Sequence, residues 1–154
     1  MPNTQAIGVA FADPEFQSVA VTGAVTAASA SVTGALTAGS VSSASVTASG
    51  NLFIKSATVA ATGSVQGDAA AVTSGFTLVS AADGTKGVAL PAAAAGLVCI
   101  IKNNAAAALK IYPASGDAIN ALSANAAYSI TNLTSTVLVA YDSTTWYTVP
   151  LLAS

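Results

Sequence analysis

Large apolar residues recur at every second position over short stretches of the first half of the chain. They occupy odd positions as far as Val25, even positions from Val32 to Leu36, and change phase again at Val41. Alternation that lasts only a few residues predicts very short strands joined by turns, and the intervening glycines and serines suit such turns. A helix is disfavoured because Val, Thr, Ser and Gly dominate between the alanines.

The same stretch repeats itself and carries no charge. Residues 21–27 recur at residues 32–38 with a single change of Val to Leu, and no charged residue lies between Glu15 and Lys55. Strands this short cannot bury a face alone, so the repeats must pack on neighbours. The interval drifts from 11 residues, Val21 to Val32, to 14 at Val46. This drift favours three intertwined chains over a solenoid formed by one chain, and the spaced Val and Leu residues disfavour a flexible linker.

From residue 72 onward, longer strand-like runs are separated by turn sequences such as Asp83-Gly84 and Asn103-Asn104. About eight short strands at this spacing predict a compact antiparallel β-sandwich of jelly-roll type. The predicted strands cover residues 76–79, 87–90, 97–102, 109–112, 118–122, 128–131, 136–141 and 146–149.

The chain is therefore predicted to be all-β and to have three parts. Residues 1–17 form an extended N-terminal arm, residues 18–71 a repeat-rich stem that forms a trimer, and residues 72–154 the C-terminal sandwich. The predicted trimer interface consists of large apolar residues of the stem, namely Val19, Val21, Val25, Val32, Leu36, Val41, Val46 and Leu52.

The arm combines apolar anchors with the only tight acidic pair of the chain. Its aromatic residues have little within the arm to pack against, so we expect the arm to dock on a neighbouring subunit or on a larger partner. A disordered terminus is the alternative. The predicted contact residues are Ile7, Val9, Phe11, Asp13, Glu15 and Phe16.

Composition supports self-association and excludes several functions. Only 6% of the residues are charged, against roughly 25% in an ordinary soluble domain, and a surface so poor in charge is usually buried in an assembly. Four lysines without arginine form no basic stripe for nucleic acid. The N-terminus lacks the basic region of a secretory signal, so synthesis in the cytoplasm is expected. The most apolar window, residues 88–101, is too short to span a membrane.

The sequence predicts no catalytic residue, cofactor or metal. Histidine is absent, which excludes Ser-His-Asp triads and the commonest metal ligand. Asp83, Asp117 and Asp142 fall in turns, where Asp is favoured for its bonds to the backbone. Trp146 and Tyr147 end a strand and could stack on a sugar, although packing in the core or at an edge is the commoner role.

The lone cysteine, Cys99, is interpreted as a small buried hydrophobe. It has no second cysteine with which to form a disulfide within the chain.

Several segments resemble structural proteins of tailed bacteriophages. Residues 110–120 contain the pattern Tyr-Pro-x-x-Gly-Asp-x-Ile, and they are followed by residues 123–126 and by Thr145-Trp146-Tyr147. These segments resemble the outer β-domain of head decoration (cement) proteins and of some fibre proteins. Residues 5–14 and the repeats after them are similar to the arm and trimeric stem of such proteins.

The resemblance implies a homotrimer that binds the major capsid protein on the outer surface of the virion. The arm is then expected to bridge junctions between coat subunits, without any enzymatic activity. A short tail fibre or receptor-binding tip is the alternative, which the short chain disfavours because fibres usually need long shafts. An enzyme that degrades polysaccharide is disfavoured by the scarcity of acids, while binding of a host-surface glycan is left open.

Overall fold

The computed structural model describes residues 22–26 and 28–149, which belong to two separate units. The first unit, Met1–Val46, contains no helix or strand among its described residues. The second unit, Thr47–Ser154, contains all the strands found in the described part of the chain.

The strands of the second unit are short, from two to six residues each. A 3₁₀ turn, Gln66–Asp68, precedes the second of them. In chain order the strands are β1 (Ser56–Ala60), β2 (Ala70–Ala71), β3 (Phe76–Ala81), β4 (Gly87–Ala89), β5 (Val98–Asn103), β6 (Leu109–Tyr112), β7 (Ala118–Ile119), β8 (Tyr128–Ile130), β9 (Ser135–Ala140) and β10 (Thr145–Val149).

The strands form two sheets between which the chain alternates. The larger sheet has the order β1-β3-β5-β9-β10-β7, and the smaller one has the order β2-β4-β6-β8. From β1 to β6 each strand lies parallel to the preceding strand of its own sheet. This is the winding of a β-solenoid. β8 and β9 then return antiparallel to β6 and β5, and β10 lies antiparallel to β9.

The all-β prediction is confirmed, and each of the eight predicted strands overlaps an observed strand. The expected antiparallel arrangement of residues 72–154 is confirmed only in part, because three of the six strand pairs within that range are antiparallel and three are parallel. Alternation of apolar residues locates a strand, but it is the same whether the strand runs parallel or antiparallel to its neighbour. The direction follows from connections that cross to the other sheet before the chain returns.

Among the described residues of the stem, the expected short strands form only near its end, as β1 and β2. Both strands pair with strands that lie beyond residue 72, so the predicted stem contributes to the same sheets as the predicted domain. Successive turns of the winding differ in length, from Ser56 to its partner Phe76 and from Phe76 to its partner Ile100. A solenoid winding thus accommodates intervals of unequal length, although the drift among the earlier repeats favoured intertwined chains over a solenoid. The intertwined trimer stays a prediction.

The core lies between the two sheets and consists of inward-facing strand residues. The largest of the fully buried side chains are Trp146, Ile101, Leu109, Ile111, Ile119 and Leu138. Burial of each large aliphatic side chain contributes about 1.5–3 kcal/mol. Cys99 belongs to this core, as expected, and burial raises the pKa of its thiol.

Close approach of β4 and β6 requires a glycine at position 87. A Cβ atom there would lie 2.6 Å from Cε2 of Tyr112 and 2.8 Å from the carbonyl oxygen of Lys110. Real Cβ atoms do not come so close to other heavy atoms. The aromatic ring of Tyr112 thus occupies the space that any other residue at position 87 would need.

Asn103, at the end of β5, is a fully buried polar side chain that links two loops. Its Nδ2 donates hydrogen bonds to the carbonyl oxygens of Ala107 at 2.8 Å and of Thr131 at 3.0 Å. Its Oδ1 accepts a hydrogen bond from the backbone N–H of Ala105 at 3.1 Å. One side chain thereby pairs with three backbone groups of two loops, one of them buried, and both of its own polar atoms are hydrogen-bonded.

We predict that Asn103→Ala lowers the free energy of unfolding by about 2–3 kcal/mol, because a buried N–H group and two partly buried carbonyl groups lose their partner. Denaturant unfolding measures the effect. The matched control is Asn104→Ala, which changes the adjacent exposed side chain and should cost less than about 0.5 kcal/mol. Equal stability of the two variants would contradict the role assigned to Asn103.

Candidate interaction surface

The face of the larger sheet that points away from the core is apolar. We call it the outer face, and its apolar members are Phe76, Leu78, Val98, Ile100, Val137, Val139, Tyr147 and Val149. Strand register arranges most of them in two adjacent rows. One row runs from Phe76 through Ile100 and Val137 to Val149, and the next row joins Val98, Val139 and Tyr147.

Solvent reaches these side chains. Val98 and Tyr147 are each 43% exposed, and Val149 is 53% exposed. The remaining five apolar residues of the outer face are half-buried. Cross-strand neighbours on one face lie close enough to pack on one another, so the rows form a continuous patch rather than scattered residues.

The outer face carries little charge. Among the strand residues that project from it, Lys102 is the only charged one, and its ammonium group donates to the carbonyl oxygen of Leu133. Tyr141, just beyond the end of β9, is exposed and makes an edge-to-face contact with Tyr147, with 5.9 Å between the ring centroids. The patch is thus bordered by one lysine and one aromatic pair.

The smaller sheet shows the opposite character on its own solvent side. Lys110 and Ser129 project there, together with Ala89, whereas Val88 and Ile111 face the core and are fully buried. Tyr112 lies on the same outward side but is buried, and its hydroxyl donates a hydrogen bond to the carbonyl oxygen of Ser64. Apolar-in and polar-out alternation is typical of a sheet with one face in water. On the larger sheet, by contrast, two adjacent rows of outward-facing residues are entirely apolar.

The predicted interface residues of the stem are exposed wherever the structure describes them. Val25, Val32, Leu36, Val41, Val46 and Leu52 are between 56% and 77% exposed. The predicted contacts Ile7, Val9, Phe11, Asp13, Glu15, Phe16, Val19 and Val21 lie outside the described residues. Both sets stay predictions as contact sites.

The outer face was missed by the sequence reasoning, although a signal was present. Residues 98–101 and 137–140 are unbroken apolar runs. Such runs are typical of strands that are covered on both faces, whereas a strand with one face in water alternates.

The acidic residues of the domain act as structural turn residues, as the sequence predicted. Oδ1 of Asp142 accepts hydrogen bonds from the backbone N–H groups of Thr144 at 2.8 Å and Thr145 at 2.7 Å. The hydrogen bond from the Thr144 backbone, followed by weaker ones, lowers the pKa of Asp142. In the equivalent turn, hydrogen bonds led by the Thr85 hydroxyl lower the pKa of Asp83.

The third acid, Asp117, is buried and supports a neighbouring segment. Its Oδ2 accepts a hydrogen bond from the backbone N–H of Ala93 at 2.9 Å. Trp146 is fully buried, so it packs in the core and offers no surface to a sugar.

A small apolar pocket of about 270 Å³ opens beside the start of β5. Residues from the β2–β3 connection and from β5 line it, together with Pro91 and Leu97. Ligand pockets are generally about 300–1,000 Å³ and combine apolar walls with several convergent polar groups. The pocket is slightly smaller than that range.

Within the described residues, no three His, Cys, Asp or Glu side chains come together as metal ligands would. The same residues include no helix with the length and hydropathy needed to cross a membrane.

Fold and surface together define an all-β protein with a solenoid-like winding and one apolar sheet face. Comparison of the chain with protein-family models, with curated proteins and with solved structures finds no match. The resemblance to bacteriophage decoration proteins therefore stays a prediction from the sequence.

We predict that the Asp142 turn makes stability depend on pH in the acid range. Because the folded pKa lies below the ordinary value of 3.8, the carboxylate stabilises the fold above that pH and loses its contribution as pH falls through the folded pKa. The melting temperature of the wild type should exceed that of Asp142→Asn at neutral pH, and the difference should shrink below pH 3.8.

The control variant is Ser143→Ala, which alters an exposed side chain of the same turn. Its difference from the wild type should not change with pH. A pH-independent difference for Asp142→Asn would show that the ionised carboxylate contributes nothing to the turn.

Proposed function

We propose that this protein is a non-enzymatic, homotrimeric structural protein that decorates the outside of a bacteriophage capsid and reinforces junctions between coat subunits. The observation that carries self-association is the exposure of large apolar residues along the charge-free stem, from Val25 to Leu52. An ordinary stem exposed to water would carry charged residues at such positions.

The energetics favour burial of these side chains in an assembly. Single exposed apolar residues are normal on protein surfaces, but six large ones without any intervening charge are not. Complete burial of each contributes about 1.5–3 kcal/mol. Ala, Ser and Gly separate these residues, so three chains can approach closely around a common axis.

Attachment to a shell is supported by the arm and by the resemblance of residues 5–14 to the arms of decoration proteins. A trimer presents three copies of the arm. After the first arm binds, the others bind at a high effective concentration, so contacts that are individually weak hold the trimer on the shell. Phe11 and Phe16 are the proposed anchors, and Asp13 and Glu15 are proposed to contact polar groups of the coat.

A second candidate is a short tail fibre or receptor-binding tip. The exposed Tyr141–Tyr147 pair supports this alternative, because tyrosines with an apolar ring and a free hydroxyl are common at binding interfaces. Antibody labelling of intact virions separates the two functions. Labelling over the whole head supports decoration, and labelling confined to the tail supports the alternative.

We predict that the full-length protein in solution has three times the mass of the 14.8 kDa chain. Leu36→Glu should weaken the trimer because it buries a charge at the axis, whereas Thr37→Glu places the charge on the opposite side of an extended segment and should not. Sedimentation equilibrium measures all three masses. A monomeric wild type would refute the proposed trimer.

We predict that deletion of residues 1–16 leaves a trimer that no longer binds capsid shells. Co-sedimentation with shells that lack the protein measures binding. Deletion of residues 1–5 alone is the control, since it keeps every proposed contact from Ile7 to Phe16 and should bind normally. Normal shell binding by the longer deletion would show that the arm is not the anchor.

A further inference from the structure

We infer that the outer face of the larger sheet is a second self-association surface, and that its occupant is the outer face of other copies of this chain. The inference rests on the proposed homotrimer and extends it from the stem to the folded unit. It assigns the interface to Phe76, Ile100, Val137, Val139 and Tyr147 in particular.

The first argument comes from the contrast between the two sheets. Strands that are covered on both faces read as continuous apolar runs, whereas a strand with one face in water alternates apolar and polar residues. β5 and β9 of the larger sheet have such runs, whereas the solvent side of the smaller sheet carries Lys110 and Ser129. The larger sheet thus has the composition of a sheet that is covered on both faces, while one face is uncovered in the single chain.

The second argument identifies the occupant from charge. In a symmetric contact the same patch is present on each subunit, so a charge near the axis meets a like charge. The two central rows of the outer face contain no charged residue, and Lys102 lies in the adjoining row with its ammonium group bonded to Leu133. Copies of this face therefore meet without repulsion. The face also lacks the charges that would complement a charged partner.

The third argument is geometric. Four strands, β3, β5, β9 and β10, span about 19 Å at the usual spacing of ~4.8 Å. Three faces of this width around a threefold axis each lie about 5.5 Å from it, close to half the ~10 Å that separates packed sheets. Side chains from the three faces therefore meet at the axis without a large void.

The area of the outer face is consistent with an interface that it forms together with the stem residues. Strands of five or six residues are about 17–20 Å long, so the four-stranded face projects an area of roughly 350 Å². This is roughly half of the ~800 Å² per partner in a standard interface. The outer face therefore acts together with the stem residues rather than in place of them.

The test uses the full-length chain with Val139→Lys and Ser129→Lys as a matched pair. Both substitutions place a lysine at an outward-facing strand position, the first on the outer face and the second on the smaller sheet. We expect Val139→Lys to raise the dissociation constant of the oligomer at least tenfold, because a lysine of each copy would be buried near the axis. Ser129→Lys should assemble as the wild type does. Mass measured over a dilution series gives the dissociation constant of each variant, and circular dichroism shows whether each variant folds.

A second measurement keeps the test decisive if Val139→Lys does not fold. Thiol labelling of Val139→Cys should be at least tenfold slower in the oligomer than in the monomer obtained by dilution, whereas labelling of Ser129→Cys should proceed at the same rate in both, with the wild type giving the background from buried Cys99. Labelling of Val139→Cys at equal rates in the two states, with a wild-type trimer, would overturn this inference and leave the proposed homotrimer intact. Protection that appears only on capsid shells would also overturn it, since the coat would then be the occupant. A monomeric wild type would refute both.

Discussion

Hydrogen bonding between successive turns of the chain is the interaction on which the rest of this structure depends. Each strand from β1 to β4 finds its parallel partner one full turn later, as Ser56 does with Phe76 and Phe76 with Ile100. No strand of this winding is stable by itself, because its backbone groups are satisfied only by the next turn. The antiparallel pairing of β9 with β5 then joins the winding to the last strands of the chain.

The sequence could locate the strands because apolar alternation and turn residues act locally. Strand direction depends on the path of each connection, and residues 82–86 or 104–108 contain nothing that reveals a crossing between sheets. The buried role of Asn103 was also hidden, since an Asn-Asn pair predicts a turn whether or not its side chain is buried. Of the candidate site, the exposed stem residues were named from sequence. The outer face was not, because its apolar runs were interpreted as core strands alone.

Polar interactions and exposed apolar side chains occur in different parts of the described structure. Polar hydrogen bonding is concentrated in turns, where Asp83 and Asp142 hold their own backbone in place. Large apolar side chains are exposed in the stem and on one sheet face. Under the proposed function, specificity then comes from the shape and repetition of surfaces rather than from a reactive group. Such a protein is expected to tolerate changes in the turns of the smaller sheet better than changes on the outer face.

The position of β1 at the edge of the larger sheet has a consequence for the length of the two-sheet unit. Within the described residues β1 pairs with β3 on one side only, so its other edge offers free N–H and C=O groups at the spacing of a parallel ladder. A duplicated copy of residues 56–75 would supply one more turn that matches this edge. The fold can thus be lengthened in steps of about 4.8 Å, while its thickness is fixed by the two sheets. Turns can therefore be added along the winding axis, whereas the two packed sheets fix the dimension across it.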